Sequence, residues 1–504
     1  MLLHESLEQT AYRYPERCAL IVGERRYSYA RINQLAGTLA ARLMARGVTR
    51  GDRVALYLDN GLDAVVGVYA ALKCGAVFMP VNPLTKADKL AYLLRDAEAR
   101  AIITQESLRT EFAAALSKTP GARVCVVVET EGAECPVYGT EIGPCPPDGS
   151  AGVIDIDLAS IIYTSGSTGE AKGVMLTHLN MLSAARSVTQ YLGLREDDVI
   201  LCTLPLAFDY GLYQVLMAFM VGATVVLERS FAFPVKILER MAAERVTVFP
   251  GVPTMFSMLL NLKTIGRYDL AKLRLITNTA AALSETHIRA LRGMFPQAQL
   301  YSMYGLTECQ RVSYLPPEQL DMRPTSVGRG MPNEEVWLVD EAGGRLPPGS
   351  VGELVIRGSH VMHGYWRKPE ATARRLKLDR LTGEAVLYSG DVFRSDAEGY
   401  LYFVARKDDI IKSRGEKVSP REVENVLYGM PAVQDVAVIG VQDALLGQAV
   451  KAFVVLREGH RCTERELIKY CAARLESFMT PKYVVIVTDL PRTDTGKISK
   501  TGLQ

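Results

Sequence analysis

SIIYTSGSTGEAKGVMLTH, residues Ser160 to His178, runs a β-branched strand (Ile161, Ile162) into hydroxyls and glycines: Thr164, Ser165, Gly166, Ser167, Thr168 and Gly169. A single cation, Lys172, follows, and then a second short strand. Glycine permits the backbone shapes in which successive N–H groups converge, and hydroxyls add further donors, so the run is suited to gripping anionic oxygens. It is not a Walker A loop, which needs GxxxxGK[ST] opening into a helix; here Lys172 comes before Gly173. A plain Ser/Thr/Gly surface turn has the same composition. Residues elsewhere must decide.

Working outward, helix and strand patterns alternate. Ile32, Leu35, Leu39 and Leu43 recur at helical spacing between Tyr29 and Gly47, and VALYL from Val54 then reads as a buried strand. The same order repeats through Ala64–Gly75 with AVFMPV and through Lys86–Glu98 with AIIT. Helix-strand alternation predicts a parallel sheet covered by helices. Glu131–Gly152, rich in Pro and Gly, reads as a surface connection, and the layered pattern resumes to about Gln299. Val336–Arg357 then reads as antiparallel strands turning at Leu346–Gly349. Beyond Arg406 short helices such as Ser419–Tyr428 alternate with strands such as Val436–Val441 and Ala452–Leu456, the texture of a small α+β domain. The expected fold is α/β: a large N-terminal region of several subdomains, with parallel sheets flanked by helices plus a strand-rich section, followed by a small mobile C-terminal domain.

The bulk numbers exclude several classes. At 504 residues the chain exceeds one ordinary core, so two or more domains are expected. A net charge of +2, without any Lys/Arg block, gives no field for a polyanion, so no nucleic-acid partner is expected. Nine cysteines, an odd number without a CxxC pair or zinc spacing, read as free thiols in a reducing compartment. MLLHESLEQTAYRYPER lacks the apolar run of a signal peptide, and the longest apolar stretch, Leu212–Ala223, is shorter than the roughly 20 residues of a membrane span. That stretch reads as a core helix, and a cytoplasmic location is expected.

Four further motifs follow in order: YGLTE at Tyr304–Glu308, YSGD at Tyr388–Asp391, ARKDDIIKSRGEKVSPREVE at Ala405–Glu424, and PRTDTGKISK at Pro491–Lys500. With the Ser160–His178 loop they resemble the adenylate-forming superfamily, which includes acyl-CoA synthetases, luciferases and the adenylation domains of peptide synthetases. The resemblance spans essentially the whole chain. It implies division into an N-terminal ATP- and acid-binding domain, 1–407, and a mobile C-terminal domain, 408–504. It also implies the residue roles. Thr164, Ser165, Gly166, Ser167, Thr168, Gly169 and Lys172 would hold the phosphates of ATP. Tyr304 would offer a face to adenine, Thr307 a hydroxyl to the α-phosphate, and Glu308 a carboxylate to Mg2+. Asp391 would accept from the ribose hydroxyls, with Arg406 assisting. Lys497 would bridge the substrate carboxylate and the α-phosphate. Asp408 would be the hinge, and Gly415 would lie beside the tunnel for a phosphopantetheine arm.

The implied chemistry has two steps. A carboxylate attacks the α-phosphorus, pyrophosphate leaves, and a thiol then displaces AMP from the acyl-adenylate. No side-chain nucleophile is needed, so His178 is not assigned as a base, and His360 with His363 is read as part of a loop.

Three departures from the family pattern stand out: Ala171 replaces the usual Pro, Ala405 the usual Gly, and Asn278–Ala282 a Gly-Gly-Ala-Pro-like run. The acid pocket is expected from Phe208 and Asp209, GVPTMF at Gly251, and Thr279, Ala280 and Ala281. Asp209 admits two readings, the amine-binding aspartate of amino-acid-activating members or the N-cap of a helix beginning near Gly211. The expected activity is AMP-forming ligation of a carboxylic acid to a thiol, CoA first, with loading of an amino acid onto the phosphopantetheine of a carrier protein as the alternative. A P-loop kinase or ATPase is disfavoured by the missing GK[ST]. A catalytically dead ligand-binding homologue is disfavoured by the presence of Lys172, Glu308, Asp391, Arg406 and Lys497.

Overall fold

The computed structural model describes residues 1–122, 124–128, 152–165, 171–262, 264–279, 283–379, 381–407, 409–413, 416–443, 446–492, 498–500 and 502–503. The expected helix forms at Tyr29–Ala45, with the Ser28 side chain accepting from Arg31 N–H as its cap, and Ile32, Leu35, Leu39 and Leu43 are buried. Its burial against the next helix, Leu62–Lys73, rather than intrinsic propensity, is what stabilises it.

Two large sheets carry the N-terminal region. A seven-stranded sheet has a parallel run formed by Arg53–Tyr57, Val77–Val81, Ala99–Gln105, Val124–Val128 and Leu158–Ser165. It finishes antiparallel, through Ala171–Thr177 and Gly364–Tyr365. A nine-stranded sheet is parallel through Cys18–Val22, Val199–Cys202, Thr224–Leu227, Val248–Gly251, Leu275–Asn278 and Gln299–Tyr304. Ser313–Leu315 returns antiparallel to Gln299–Tyr304, and the edge strand Arg329–Gly330 pairs antiparallel with Ser313–Leu315 in turn. The apolar Leu212–Ala223 stretch is helical as far as Val221, in the helix Asp209–Val221, which is buried along nearly its whole length and is capped by Gly222. Phe219 on it stacks on Tyr69 of Leu62–Lys73, with ring centroids 5.6 Å apart. An apolar surface on every side is what a helix enclosed by core requires.

The strand-rich section is a five-stranded sheet in which Glu334–Val339 pairs with Val351–Gly358, and Val351–Gly358 with Ala385–Ser395, all antiparallel. Leu401–Arg406 pairs with Ala385–Ser395, setting Asp391 opposite Arg406. The last sheet comprises Ile411–Ser413, Glu416–Val418, Val433–Asp443, Gly447–Leu456 and Tyr483–Val487, backed by the helices Pro420–Tyr428 and Glu464–Ala472. Ser419 caps the first of these and also donates to the carbonyl of Val404, tying the section to the strand that ends at Arg406.

The structure corrects several local readings. The helix expected near Gly211 begins at Asp209, so Asp209 is its first residue; the capping position is Phe208, which has no side-chain bond to offer. The strands expected at Val436–Val441 and Ala452–Leu456 extend to Val433–Asp443 and Gly447–Leu456, because their pairing continues through polar residues that carry no hydrophobic alternation. Most of the Glu131–Gly152 connection lies outside the described residues.

Candidate active site

The phosphate-loop motif is carried by a hairpin. Thr164 pairs with Lys172 and Ser165 with Ala171, so residues 166–170 connect the two strands at the sheet end. Gly166, Ser167, Thr168 and Gly169 lie outside the described residues, as do Ala280, Ala281, Asp408, Gly415 and Lys497. The hairpin base is held firmly: Tyr163 donates to Asp96 Oδ2 at 2.5 Å, and Tyr92 donates to the Ala171 carbonyl at 3.2 Å.

YGLTE turns at the end of the strand Gln299–Tyr304. Gly305 is required there, since a Cβ would lie 2.1 Å from the Gln310 carbonyl oxygen. The turn sends its side chains to two places. On one side the Tyr304 hydroxyl donates to Asp391 Oδ2 at 2.5 Å, and Arg406 Nε stands 3.7 Å from Asp391 Oδ1, an ion-pair distance rather than a hydrogen bond. Asp391 is buried, which pushes its carboxyl up from the usual range against the opposing pull of Arg406 and the Tyr304 hydroxyl. Burial together with the Asp391 charge holds the Tyr304 phenol well above its ordinary value, so the ring stays neutral. Gly390 of YSGD has φ +71°, and the guanidinium of Arg375 occupies the space a side chain would take.

On the other side Glu308 Oε1 accepts from the Tyr365 hydroxyl at 2.6 Å. Tyr365 lies on Gly364–Tyr365, paired with Val174 of the phosphate-loop hairpin, and Lys172 Nζ is 5.7 Å from its ring centroid. Tyr365 therefore joins the loop lysine to the YGLTE carboxylate. It is a site residue that sequence reading missed; HGYW at His363–Trp366 carries no periodic or charge signal to reveal it. Glu308 is half-buried, and its Oε2 has no partner among the described residues. A lone carboxylate with a free oxygen fits Mg2+, which in nucleotide sites is held by one or two carboxylates plus substrate phosphates. Among the described residues no cluster of three or more His, Cys, Asp or Glu could hold a metal by itself. Thr307 is half-buried beside Glu308.

Of the expected acid-side residues, Phe208 precedes the helix Asp209–Val221 and Asp209 opens it. Asp209, half-buried, accepts from Tyr210 N–H at 2.8 Å, and Phe208 is half-buried beside it. The Tyr210 hydroxyl reaches both the carbonyl and Oγ1 of Thr277 at 2.8 Å. Thr279 is buried, with its hydroxyl unpartnered. His178 and His360 have structural surroundings. His178 Nδ1 accepts from Leu3 N–H at 3.0 Å, and His360 Nε2 lies 2.9 Å from Glu334 Oε2, both side chains being buried.

The motif residues that are described thus gather around one turn, with the Glu308–Tyr365 pair on one side and the Tyr304–Asp391–Arg406 group on the other. The chain belongs to the AMP-binding enzyme family, whose model matches residues 7–366, with the AMP-binding enzyme C-terminal domain matching residues 422–497. It is 30% identical to the long-chain-fatty-acid–CoA ligase of Bacillus subtilis (strain 168) over 99% of this chain and 94% of that protein. It is 29% identical to tyrocidine synthase 2 of Brevibacillus parabrevis, over 99% of this chain and 14% of that protein. Among solved structures, ATP-bound MatB from Rhodopseudomonas palustris superposes with a TM-score of 0.88 at 29% identity, covering 99% of this chain and 98% of that one. The protein is thus an AMP-forming ligase of the acyl-CoA synthetase type. No described helix is long and apolar enough to cross a membrane.

Proposed function

We propose that the protein converts a carboxylic acid and ATP to an acyl-adenylate and pyrophosphate, and then transfers the acyl group to the thiol of CoA. The observation that supports this reading is the single turn Tyr304–Glu308, whose first residue bonds Asp391 and whose last bonds Tyr365; in this reading the first pair faces the ribose and the second the phosphates.

In this reading the hairpin loop and Lys172 hold the departing pyrophosphate, Asp391 and Arg406 orient the ribose, and Glu308 holds Mg2+, which when bound neutralises phosphate charge. Lys497 lies between the acid and the α-phosphate and offsets their repulsion as the bond forms. The chain divides at 407/408. Rotation about Asp408 withdraws Lys497 and brings Gly415 beside the incoming thiol arm. Support for CoA as the acceptor comes from the acyl–CoA ligase relative matched over nearly its whole length, whereas the tyrocidine synthase match covers a small part of a far longer protein. Acid-dependent ATP–pyrophosphate exchange, followed by CoA-dependent AMP release, tests it. Exchange without CoA-dependent turnover would remove the CoA step.

Asp209 supports a second reading, the loading of an amino acid onto a carrier protein. Its carboxylate heads a buried helix with one oxygen on Tyr210 N–H. If it pairs with a substrate ammonium, Asp209→Ala strands that cation at a cost of about 3 to 5 kcal/mol. Activation of an amino acid would then collapse while its des-amino analogue is spared. An unaltered preference within matched pairs would exclude this reading.

A further inference from the structure

Arg311 lies three residues past the Glu308 that closes YGLTE, and it is 4% exposed. Its Nη1 donates to the Gln310 carbonyl at 3.1 Å, its Cζ stands 4.6 Å from the Tyr210 ring centroid, and its Nε has no partner among the described residues. Among the described residues no carboxylate forms an ion pair with it, although Asp209 heads the very helix whose Tyr210 it covers. A ring face offsets only part of what a guanidinium loses on leaving water. A buried cation held in this way lacks its anion.

Further polar atoms of the acid-side cluster are also buried without partners among the described residues. Tyr210 is fixed to Thr277 through its hydroxyl, while the Tyr213 hydroxyl, one turn along the same helix, and Thr279 Oγ1 are buried without partners among the described residues. Arg311 itself packs directly against the YGLTE turn. Val312 N–H donates to the Tyr304 carbonyl at 2.9 Å, and a Cβ on Gly305 would lie 3.0 Å from Arg311 Cα. Three residues of chain span at most about 10 Å, so Arg311 sits within that reach of Glu308.

We propose that Arg311 is a specificity residue, and that the acid this enzyme activates is a short one carrying a second carboxylate at the end remote from the one adenylated. The proposal rests on the ligase reading above and deepens it. A carboxylate matches the guanidinium fork in both charge and shape, and the free Tyr213 and Thr279 hydroxyls supply donors for its remaining lone pairs. A long unbranched chain would leave the guanidinium and both hydroxyls desolvated and unpaired.

The test is ATP–pyrophosphate exchange by the full-length enzyme with Mg2+ on pairs of equal length: succinate against butyrate, glutarate against pentanoate, and adipate against hexanoate. Wild type is expected to favour the diacid in at least one pair. Arg311→Leu should lower that preference, as a ratio of kcat/KM values, by about 100- to 1000-fold, the scale of leaving one member of a buried charged pair without its partner. Arg311→Lys, which keeps the charge without the fork, should fall between. Exchange that favours the monoacid in every pair would overturn the proposal and leave the ligase reading standing. The proposal falls equally if the Arg311 variants slow both members of a pair to the same degree, as a purely structural arginine would. If an Arg311 variant fails to fold, the wild-type preference alone still decides. Exchange with no acid at all would overturn both.

Discussion

Tyr365→Phe removes one oxygen atom and nothing else from the contact between the phosphate-loop hairpin and YGLTE. Phe keeps the ring on which Lys172 rests at 5.7 Å and the backbone pairing with Val174. What is lost is the 2.6 Å hydrogen bond to Glu308 Oε1, short because the acceptor is charged. Hydrogen bonds to charged groups contribute about 1.5 to 3 kcal/mol when the surroundings are dry. Glu308 is half-buried, so water recovers part of this, and the expected loss of global stability is about 1 kcal/mol or less. The functional effect is expected to be larger, because the hydroxyl fixes the direction in which Glu308 Oε2 is presented. Removing the partner that orients a metal-binding carboxylate typically costs about 10- to 100-fold in metal affinity or activity. Pyrophosphate exchange measured against free Mg2+ at saturating ATP and acid should therefore shift to about 10- to 100-fold higher Mg2+, with much of the rate recovered at high Mg2+. A wild-type Mg2+ profile in Tyr365→Phe would refute the positioning argument. A uniformly lower rate at every Mg2+ concentration would refute it equally.

Lys497→Ala is expected to slow adenylate formation by about 10² to 10³, the scale of losing one preorganised electrostatic group, while thioester formation from preformed acyl-AMP is spared; equal losses in both half-reactions would remove the assignment. Asp408→Pro fixes φ near −65° and should retain acid-dependent pyrophosphate exchange while losing thioester production. The pH dependence of folding follows from His178, whose ring is held at about 4, chiefly by burial and then by His4, and whose Nδ1 must stay unprotonated to accept from Leu3 N–H. Its folded value lies below the unfolded one near 6.5, so its contribution is complete above 6.5 and is lost as pH falls from 6.5 towards 4, amounting to about 3 kcal/mol. Urea unfolding of wild type and His178→Gln at pH 7 and pH 4.5 should show the variant losing less stability on acidification; parallel losses would exclude His178 as the source.

Where hydrophobic period and burial coincide, the sequence was sufficient. Ile32, Leu35, Leu39 and Leu43 marked a helix, and Ile161–Ile162 a strand, because each pattern is local and each face is buried. Boundaries were less legible: Asp209 was expected outside a helix starting near Gly211, yet the turn closes two residues earlier, with a Phe at the cap. The long strands of the last sheet outran their apolar cores because the backbone ladder continues through residues such as Gln442 and Gln448. The site divides in the same way. Tyr304, Glu308, Asp391 and Arg406 lie in motifs readable along the chain, and the fold brings Tyr304, Asp391 and Arg406 together. Tyr365 reaches Glu308 across 57 positions of sequence, and only the pairing of a two-residue strand with the hairpin puts it there. Arg311 was open to view as a lone cation in CQRVSYL, but its significance depends on burial and on an absent partner, neither of which a sequence displays.

The claim on which everything else depends is that the bond broken in ATP is the one between the α- and β-phosphates. Full-length enzyme incubated with Mg2+, ATP labelled at the α-phosphate, CoA, and a panel of short mono- and dicarboxylic acids decides it in one separation. The account predicts label in AMP, strictly dependent on one or more of the acids, with an equal amount of pyrophosphate. Label appearing in ADP with release of inorganic phosphate would contradict it.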